Sequence, residues 1–465
     1  MSLFTARPLD QSQPPSGLHR RLGWPHLVAL GVGAIVGTGI YTLIGVGAER
    51  AGPAIILAFA IAGAVCALSA LAYAELASMI PDAGGAYAYA QTGFGEAVAW
   101  FVGWSLVLEY AVACSAVGVG WSGYIVAMLG HLGLALPTAL TAGPHAGGII
   151  NLPAVCIVLL VAALLMRGVH ESARWNVALV VVKLSALALF ALLAFAVFST
   201  DNLAPFTPYG LFAQEIGGET RGVMTAAAVV FFAFFGFDAV ATAAEEAKRP
   251  ERDVAIGIIG SIAVCTVIYM VISAAAVGAV PFTRFAGRAA PLADILILIG
   301  HPLAASVISL AAVLALPTVI LVMMYGQTRV LYSIARDGLL PERLSRVDPR
   351  AGVPRLVTLL TALAVALVAG FLPLGEIAEL TNAGSLTAFV AVSITVLVLR
   401  RRYPAARRGF RYPLAWLLAP LAAAGCLYLL LSLPQLTLDR FALWHGIGLL
   451  VYAANRLWRR RQAKA

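Results

Sequence analysis

Apolar residues fill this chain in blocks of membrane-crossing length, separated by short polar connectors. A hydrocarbon core about 30 Å thick takes about 20 residues at a rise of 1.5 Å each. On that measure the pattern predicts twelve spanning helices, at residues 26–48, 52–79, 94–129, 150–166, 174–198, 220–246, 254–279, 303–335, 354–371, 375–399, 412–433 and 440–458. Spans 3 and 8 exceed what a perpendicular helix needs, so they should tilt or project from the bilayer. Residues 1–23 are polar, contain Pro14-Pro15-Ser16-Gly17 and lack the apolar centre of a secretory signal, so they read as a short disordered tail.

Composition agrees with the pattern. Of the 465 residues, 61% are hydrophobic and 11% charged, with a mean hydropathy of +0.92; a soluble domain carries roughly 25% charged residues. The net charge of +9 is not a nucleic-acid signature, because the arginines sit in connectors rather than on a basic face of a soluble module. They orient the chain instead. With the N-terminus in the cytoplasm, Arg50, Arg221, Arg284, Arg288 and Arg440 fall outside and Lys183 falls within a span. Every other lysine and arginine then lies on the cytoplasmic side, as the positive-inside rule requires. Both termini are thus expected in the cytoplasm, for a multi-pass protein of the cell membrane. Cys66, Cys114, Cys156, Cys265 and Cys426 lie in apolar runs without metal-site spacing and read as small core residues.

Two spans carry a fault near their middle. Span 1 contains Ile35-Val36-Gly37-Thr38-Gly39-Ile40-Tyr41, and span 6 contains Phe231-Phe232-Ala233-Phe234-Phe235-Gly236-Phe237-Asp238. Glycine costs about 1 kcal/mol against alanine inside a helix, and unwound backbone in lipid persists only where it lines a cavity or meets a ligand. Paired faults in corresponding spans mark the midplane site of a transporter built from inverted repeats. A break at Gly37 to Gly39 would leave a half-helix starting near Ile40, whose free N–H groups and positive dipole end suit a carboxylate. A break at Phe234 to Gly236 would free the carbonyls of residues 231–235, which suit an ammonium. A ligand with both groups is a free amino acid. Glycines also serve as packing faces, and Gly118, Gly120 and Gly123 of span 3 are read that way.

These stretches carry a resemblance. LGVGAIVGTGIY (30–41), YAELASMIPDAGGAYAYAQTGFGE (73–96), WSLVLEY (104–110), FFAFFGFDAVATAAEEAKRPERD (231–253) and GQTRVLYSIARDGLLP (326–341) resemble the amino acid–polyamine–organocation superfamily, and within it the bacterial relatives of cationic amino acid transporters. The resemblance implies an all-α LeuT-like fold with discontinuous helices 1 and 6. Two inverted five-helix repeats would cover residues 24–200 and 201–402, followed by two peripheral helices and a basic end in 403–465. It implies a carboxylate held by Gly37, Thr38 and Gly39, and an amine held by carbonyls around Phe231, Ala233 and Phe234. Phe231 and Phe235 would help close the outside. Ile35, Ile40, Gly236 and Met323 would complete the substrate site, with Met323 bordering the side-chain pocket.

Lys183 lies nine residues beyond Arg174, the start of span 5, and so about 13 Å along the helix. That depth is too great for comfortable snorkelling, and an ionisable residue inside the membrane is by default functional. Sodium-coupled relatives of this fold bind a cation between spans 1 and 8, where some proton-coupled members place a span 5 lysine. The resemblance thus implies proton coupling through Lys183, bonded to span 1 carbonyls near the break, with no cofactor, metal or sodium site. A static lysine bridging spans 1, 5 and 8 is the alternative. Glu109 is a proton-relay candidate or a structural hydrogen-bonding group. Asp238 reads as the cap of the second half of span 6, while Glu75, Glu245 and Glu246 are expected to meet Arg249 or Arg336 at cytoplasmic helix ends.

The reading that follows is a proton-coupled importer of small or medium neutral amino acids such as alanine, working by alternating access. A broad or cationic amino acid transporter or exchanger is the runner-up. A channel would need one continuous polar path, a sensing receptor would usually append a soluble domain, and an enzyme would need a nucleophile, histidine or paired-carboxylate arrangement that the chain lacks. The expected partners are the amino acid and the lipid bilayer, not nucleic acid, and the sequence admits a small single-span accessory subunit.

Overall fold

The computed structural model describes residues 22–80, 84–131, 133–168, 173–238, 240, 247–288, 290–348 and 353–462. Span 1 is realised as α1 (Trp24–Ile35), a short turn of helix α2 (Thr38–Tyr41) and α3 (Leu43–Ala51); span 2 is α4 (Ile55–Met79). A short helix, α5 (Ala86–Phe94), then precedes α6 (Glu96–His131). There follow α7 (Leu152–Met166), α8 (Ala173–Ala196), the hairpin β1 (Gln214–Ile216) and β2 (Glu219–Arg221), α9 (Val223–Val230), α10 (Pro250–Ala279) and α11 (Pro291–Leu298). The chain ends with α12 (Pro302–Arg336), α13 (Arg355–Phe371), α14 (Leu374–Arg402), α15 (Ala415–Leu431) and α16 (Gln435–Gln462).

Six stretches are long and apolar enough to cross a membrane: Leu43–Met79, Glu96–Gly130, Val177–Ala196, Arg252–Ala279, Pro302–Arg336 and Leu374–Arg402. Four apolar helices are shorter, and two of these, Trp24–Ile35 and Val223–Phe234, are short because they run up to the faults in spans 1 and 6. The protein is therefore an all-α membrane protein. Exposed leucines and valines on the outer faces of α8, α12, α13 and α16 suit hydrocarbon rather than water.

The interior is organised around α6 and α10. Helix α6 packs most extensively on α12 and α14, and α10 on α4 and α1, so the broken span 1 lies among long, continuous helices. The last helix is docked by reciprocal bonds: the Trp104 indole donates to the Trp444 carbonyl and the Trp444 indole to that of Trp104, each at 2.9 Å, with the rings stacked 4.7 Å apart. Both N–H groups would otherwise be unpaired in an apolar setting, which makes the pairing strongly specified.

Several expectations change. Glu75 bonds to neither Arg249 nor Arg336; it accepts from Arg400, Arg408 and the Tyr412 N–H, tying α4 to the end of α14. Glu245 and Glu246 lie outside the described residues, as does the tail through residue 21. Leu22, placed in the tail, instead forms a parallel bridge with Ala247, and its carbonyl accepts from Lys248 N–H at 2.7 Å. Cys156 is exposed on α7 whereas Cys66, Cys114, Cys265 and Cys426 are buried; all five are free thiols.

Candidate substrate site at the two helix breaks

In span 1 the helix stops at Ile35 and resumes at Thr38, two residues earlier than the expected start at Ile40. Val36 closes α1 by donating to Val32 O at 2.8 Å, and the extended backbone at Val36 and Gly37 then turns the chain out of register. A continuous helix would use the carbonyls of Gly33, Ala34 and Ile35. Each meets something specific here. Gly33 O accepts from the Lys183 ammonium at 2.9 Å. Ile35 O accepts from the Tyr269 hydroxyl at 2.8 Å. Ala34 O packs against Gly236, where an added Cβ would lie 3.1 Å away. Among the described residues, the N–H groups of Gly37, Thr38 and Gly39 make no bond to the protein. Three adjacent orphan donors at the start of a half-helix form an anion cradle.

Span 6 breaks differently from expectation. α9 gives way to one 3-10 turn over Phe231–Phe234, and Gly236, at a φ of 107°, carries the chain through a conformation that side chains disfavour. Its carbonyls are not all free. Phe232 O accepts from Phe235 N–H at 3.0 Å, and Ala233 O accepts from the Tyr269 hydroxyl at 2.8 Å. Upstream, Asn382 of α14 donates to Ala228 O at 2.6 Å and Val229 O at 2.8 Å, supplying donors that the broken helix lacks.

The two breaks touch. A Cβ on Gly39 would lie 2.3 Å from Ala233 Cα, so the backbones of spans 1 and 6 are in direct contact there. Gly120 of α6 presses on the same segment, with Thr38 Cγ2 2.6 Å from where its Cβ would be. Ile35, Ile40, Phe231, Ala233, Phe234 and Phe235 are all buried around this contact. Phe231 packs edge-on against Phe389 and Phe235 against Tyr110.

Two cavities approach the breaks. One, of about 680 Å³, is lined by Thr42, Val126, Asn151, Arg50, Arg288 and Glu376, among others, and by neither Phe231 nor Phe235. The other, of about 60 Å³, is lined by Gly236, Met323, Leu106, Tyr110, Asp238 and Arg329 among others, so Met323 does border a space beside the span 6 break. Asp238 accepts from the Tyr110 hydroxyl, and the half-helix it was expected to cap lies mostly outside the described residues.

Of the two proton candidates, Lys183 is 1% exposed and reaches the break directly. Glu109, also 1% exposed, does not; its Oε1 accepts from Ser385 at 2.5 Å, and its Oε2 has no hydrogen-bond partner among the described residues. Tyr269 and Asn382 carry no sign in the sequence of their roles. An isolated tyrosine or asparagine in an apolar run becomes legible only when the run is folded against a break.

Residues 22–451 match the Amino acid permease family. The chain belongs to that family. A branched-chain amino acid permease of Bacillus subtilis (strain 168) is 44% identical to this permease over 439 residues, covering 94% of this chain and 92% of the relative. A methylthioribose transporter of the same strain is 40% identical and covers 97% of each. A mitochondrial cationic amino acid transporter 3 of Arabidopsis thaliana is 37% identical over 87% of this chain and 67% of its own length. The permease is thus an amino acid–polyamine–organocation superfamily member related to the cationic amino acid transporters, and a membrane transporter rather than an enzyme.

Proposed function

We propose that this permease imports neutral amino acids with small or medium aliphatic side chains, and that a proton carried by Lys183 drives the cycle. The observation that carries the reading is the bond from the buried Lys183 ammonium to Gly33 O, a carbonyl that only the span 1 break releases. An ammonium removed from water depends on such partners. When α1 swings away this bond is lost, so protonation is tied to the arrangement of the site. The lysine takes the place of a sodium ion. The carboxylate meets the N–H groups of Gly37, Thr38 and Gly39. The side chain extends toward Met323 and Leu106, where the one carboxylate of the described lining, Asp238, already accepts from the Tyr110 hydroxyl, and the branched-chain relative supports the choice of a neutral side chain.

The contact of Gly39 with Ala233 supports reading the chain as two inverted five-helix repeats with twelve spans in all. With the N-terminus cytoplasmic, the larger cavity faces outward and the smaller one inward. Methylthioribose, the cargo named for one relative, is a sugar without a carboxylate, and three unbonded N–H groups in a row favour an amino acid over it.

Uptake of labelled leucine into sodium-free proteoliposomes tests this. Saturable uptake that rises with an inward proton gradient, is competed by alanine and valine but not by arginine, and loses its gradient drive in Lys183→Ala is the expected result. Sodium dependence, or wild-type drive in Lys183→Ala, would sink the coupling role. Competition by methylthioribose alone would sink the substrate class.

A further inference from the structure

We propose that the cleft between the start of α10 and the connector that follows α14 holds one anionic phospholipid taken from the bilayer. The cleft has a volume of about 400 Å³ and shares no lining residue with the two cavities beside the helix breaks. One wall is α10, through Ala255, Ile256, Ile259 and Gly260, with Arg252 at its polar end; the other is Gly409 and Phe410 of the connector. The spacing of the α10 positions is that of one helix face. Arg252 opens the apolar stretch Arg252–Ala279, and from it to Gly260 the helix rises about 12 Å. That is slightly less than half of a hydrocarbon core about 30 Å thick. The cleft therefore runs from headgroup level down beside the chains of one leaflet.

The connector wall is fixed in place. Phe410 N–H donates to Ser78 Oγ at 3.2 Å, Tyr412 N–H to Glu75 at 2.7 Å, and the Tyr412 hydroxyl to Leu68 O at 2.9 Å, so the connector is fastened to α4. Arg408 closes the connector on itself by donating to Tyr403 O and Ala406 O, each at 2.9 Å. Charge then selects the lipid. Arg252, and Arg407 and Arg411 on either side of Gly409 and Phe410 in the chain, are exposed and make no ion pair or side-chain hydrogen bond among the described residues. The carboxylate next to Arg252, Asp253, is buried and accepts from Arg249 N–H at 3.2 Å. A guanidinium presents a planar fork of donors that fits a phosphate, and basic clusters at the end of a spanning helix attract anionic lipids. Phosphatidylglycerol brings one negative charge, whereas phosphatidylethanolamine adds an ammonium that these arginines repel. The apolar walls call for an acyl chain as well as a phosphate, because a chain supplies the dispersion contacts that a water-soluble phosphate would leave unmade.

Native mass spectrometry of the full chain in detergent, with equal amounts of phosphatidylglycerol and phosphatidylethanolamine, tests this alongside melting temperature. Wild type should retain one phosphatidylglycerol in preference to phosphatidylethanolamine and melt higher with it. Arg252→Gln should weaken that binding roughly tenfold, as for loss of a hydrogen bond to a charged group. Ile259→Trp, which fills the cleft and leaves the arginines, should weaken it too. Arg343→Gln, at an exposed arginine of the connector between α12 and α13, should leave it unchanged. Equal retention of the two lipids overturns the proposal, as does wild-type retention in Arg252→Gln or in Ile259→Trp. An equal loss in Arg343→Gln overturns it as well, since surface charge alone would then gather the lipid. Glycerophosphoglycerol, the same headgroup without chains, should not raise the melting temperature; if it matches the lipid, the ligand is a free phosphate and the cleft is not its site. Should Arg252→Gln fail to fold, Ile259→Trp and Arg411→Gln decide the question by the same readouts.

Discussion

At the scale of the residue, the two glycines of the span 1 break separate in role. From sequence both look equally necessary, since each lowers helix propensity at the same point. In the structure a Cβ on Gly37 would meet only Val319, at 3.5 Å, whereas a Cβ on Gly39 would collide with the backbone of Ala233. Backbone cannot rotate aside as a side chain can, so Gly39→Ala has to part spans 1 and 6. We expect Gly39→Ala to destabilise the protein by about 1–3 kcal/mol and to abolish leucine uptake, with Gly37→Ala keeping measurable uptake. Thermal unfolding and uptake measured on the same preparations check both, and equal loss in the two variants would contradict the steric account. The orphan donors of the cradle were legible because they follow from where the helix stops. Of the partners of the freed carbonyls, Lys183 was expected through the family resemblance, whereas Tyr269 and Gly236 were not, because they come from distant parts of the chain and carry no mark of the contact.

At the scale of the element, α14 ties together the helices around the breaks. Its face carries Glu379, which pairs with Arg50 at 3.2 Å and accepts from Thr437 at 2.7 Å. One turn on comes Asn382 against the end of α9, about a turn further Ser385 against Glu109, and at the far end Arg400 against Glu75. Glu75 is 1% exposed and the side chains of Arg400 and Arg408 only 11% and 9%. Truncating the carboxylate leaves two largely buried guanidiniums with backbone carbonyls as partners but no counter-charge, so Glu75→Ala should cost about 3 kcal/mol. A melting temperature within a degree or two of wild type would refute that. Hydropathy located the long helices because the bilayer sets their length. It passed over α5 and α11, which are too short to span and are shaped by local contacts. It also assigned Glu75 to the wrong arginines, because nearness to a helix end does not say which other helix end comes alongside.

At the scale of the whole molecule, the breaks divide two unequal spaces. The larger, about 680 Å³, reaches Thr42, one turn beyond the cradle; the smaller, about 60 Å³, reaches Gly236 and Met323. Neither is lined by Gly39, Ala233, Tyr41 or Tyr124, whose backbone contact and hydrogen bond fix the segments of the two breaks. Under the proposed cycle this partition moves, and the Lys183 bond to Gly33 O is the contact that protonation would strengthen. Single cysteines report it directly. In a background with Cys156 and the buried thiols replaced, Val126→Cys on the larger cavity should react with a small maleimide several times faster than Leu106→Cys on the smaller. If the Lys183 ammonium holds α1 in this arrangement, as proposed, adding Lys183→Ala should accelerate labelling at Leu106→Cys and slow that at Val126→Cys. Opposite shifts at the two positions are needed, since general loosening would speed both. Parallel changes, or none, would show that Lys183 bridges the helices without setting which way the site opens.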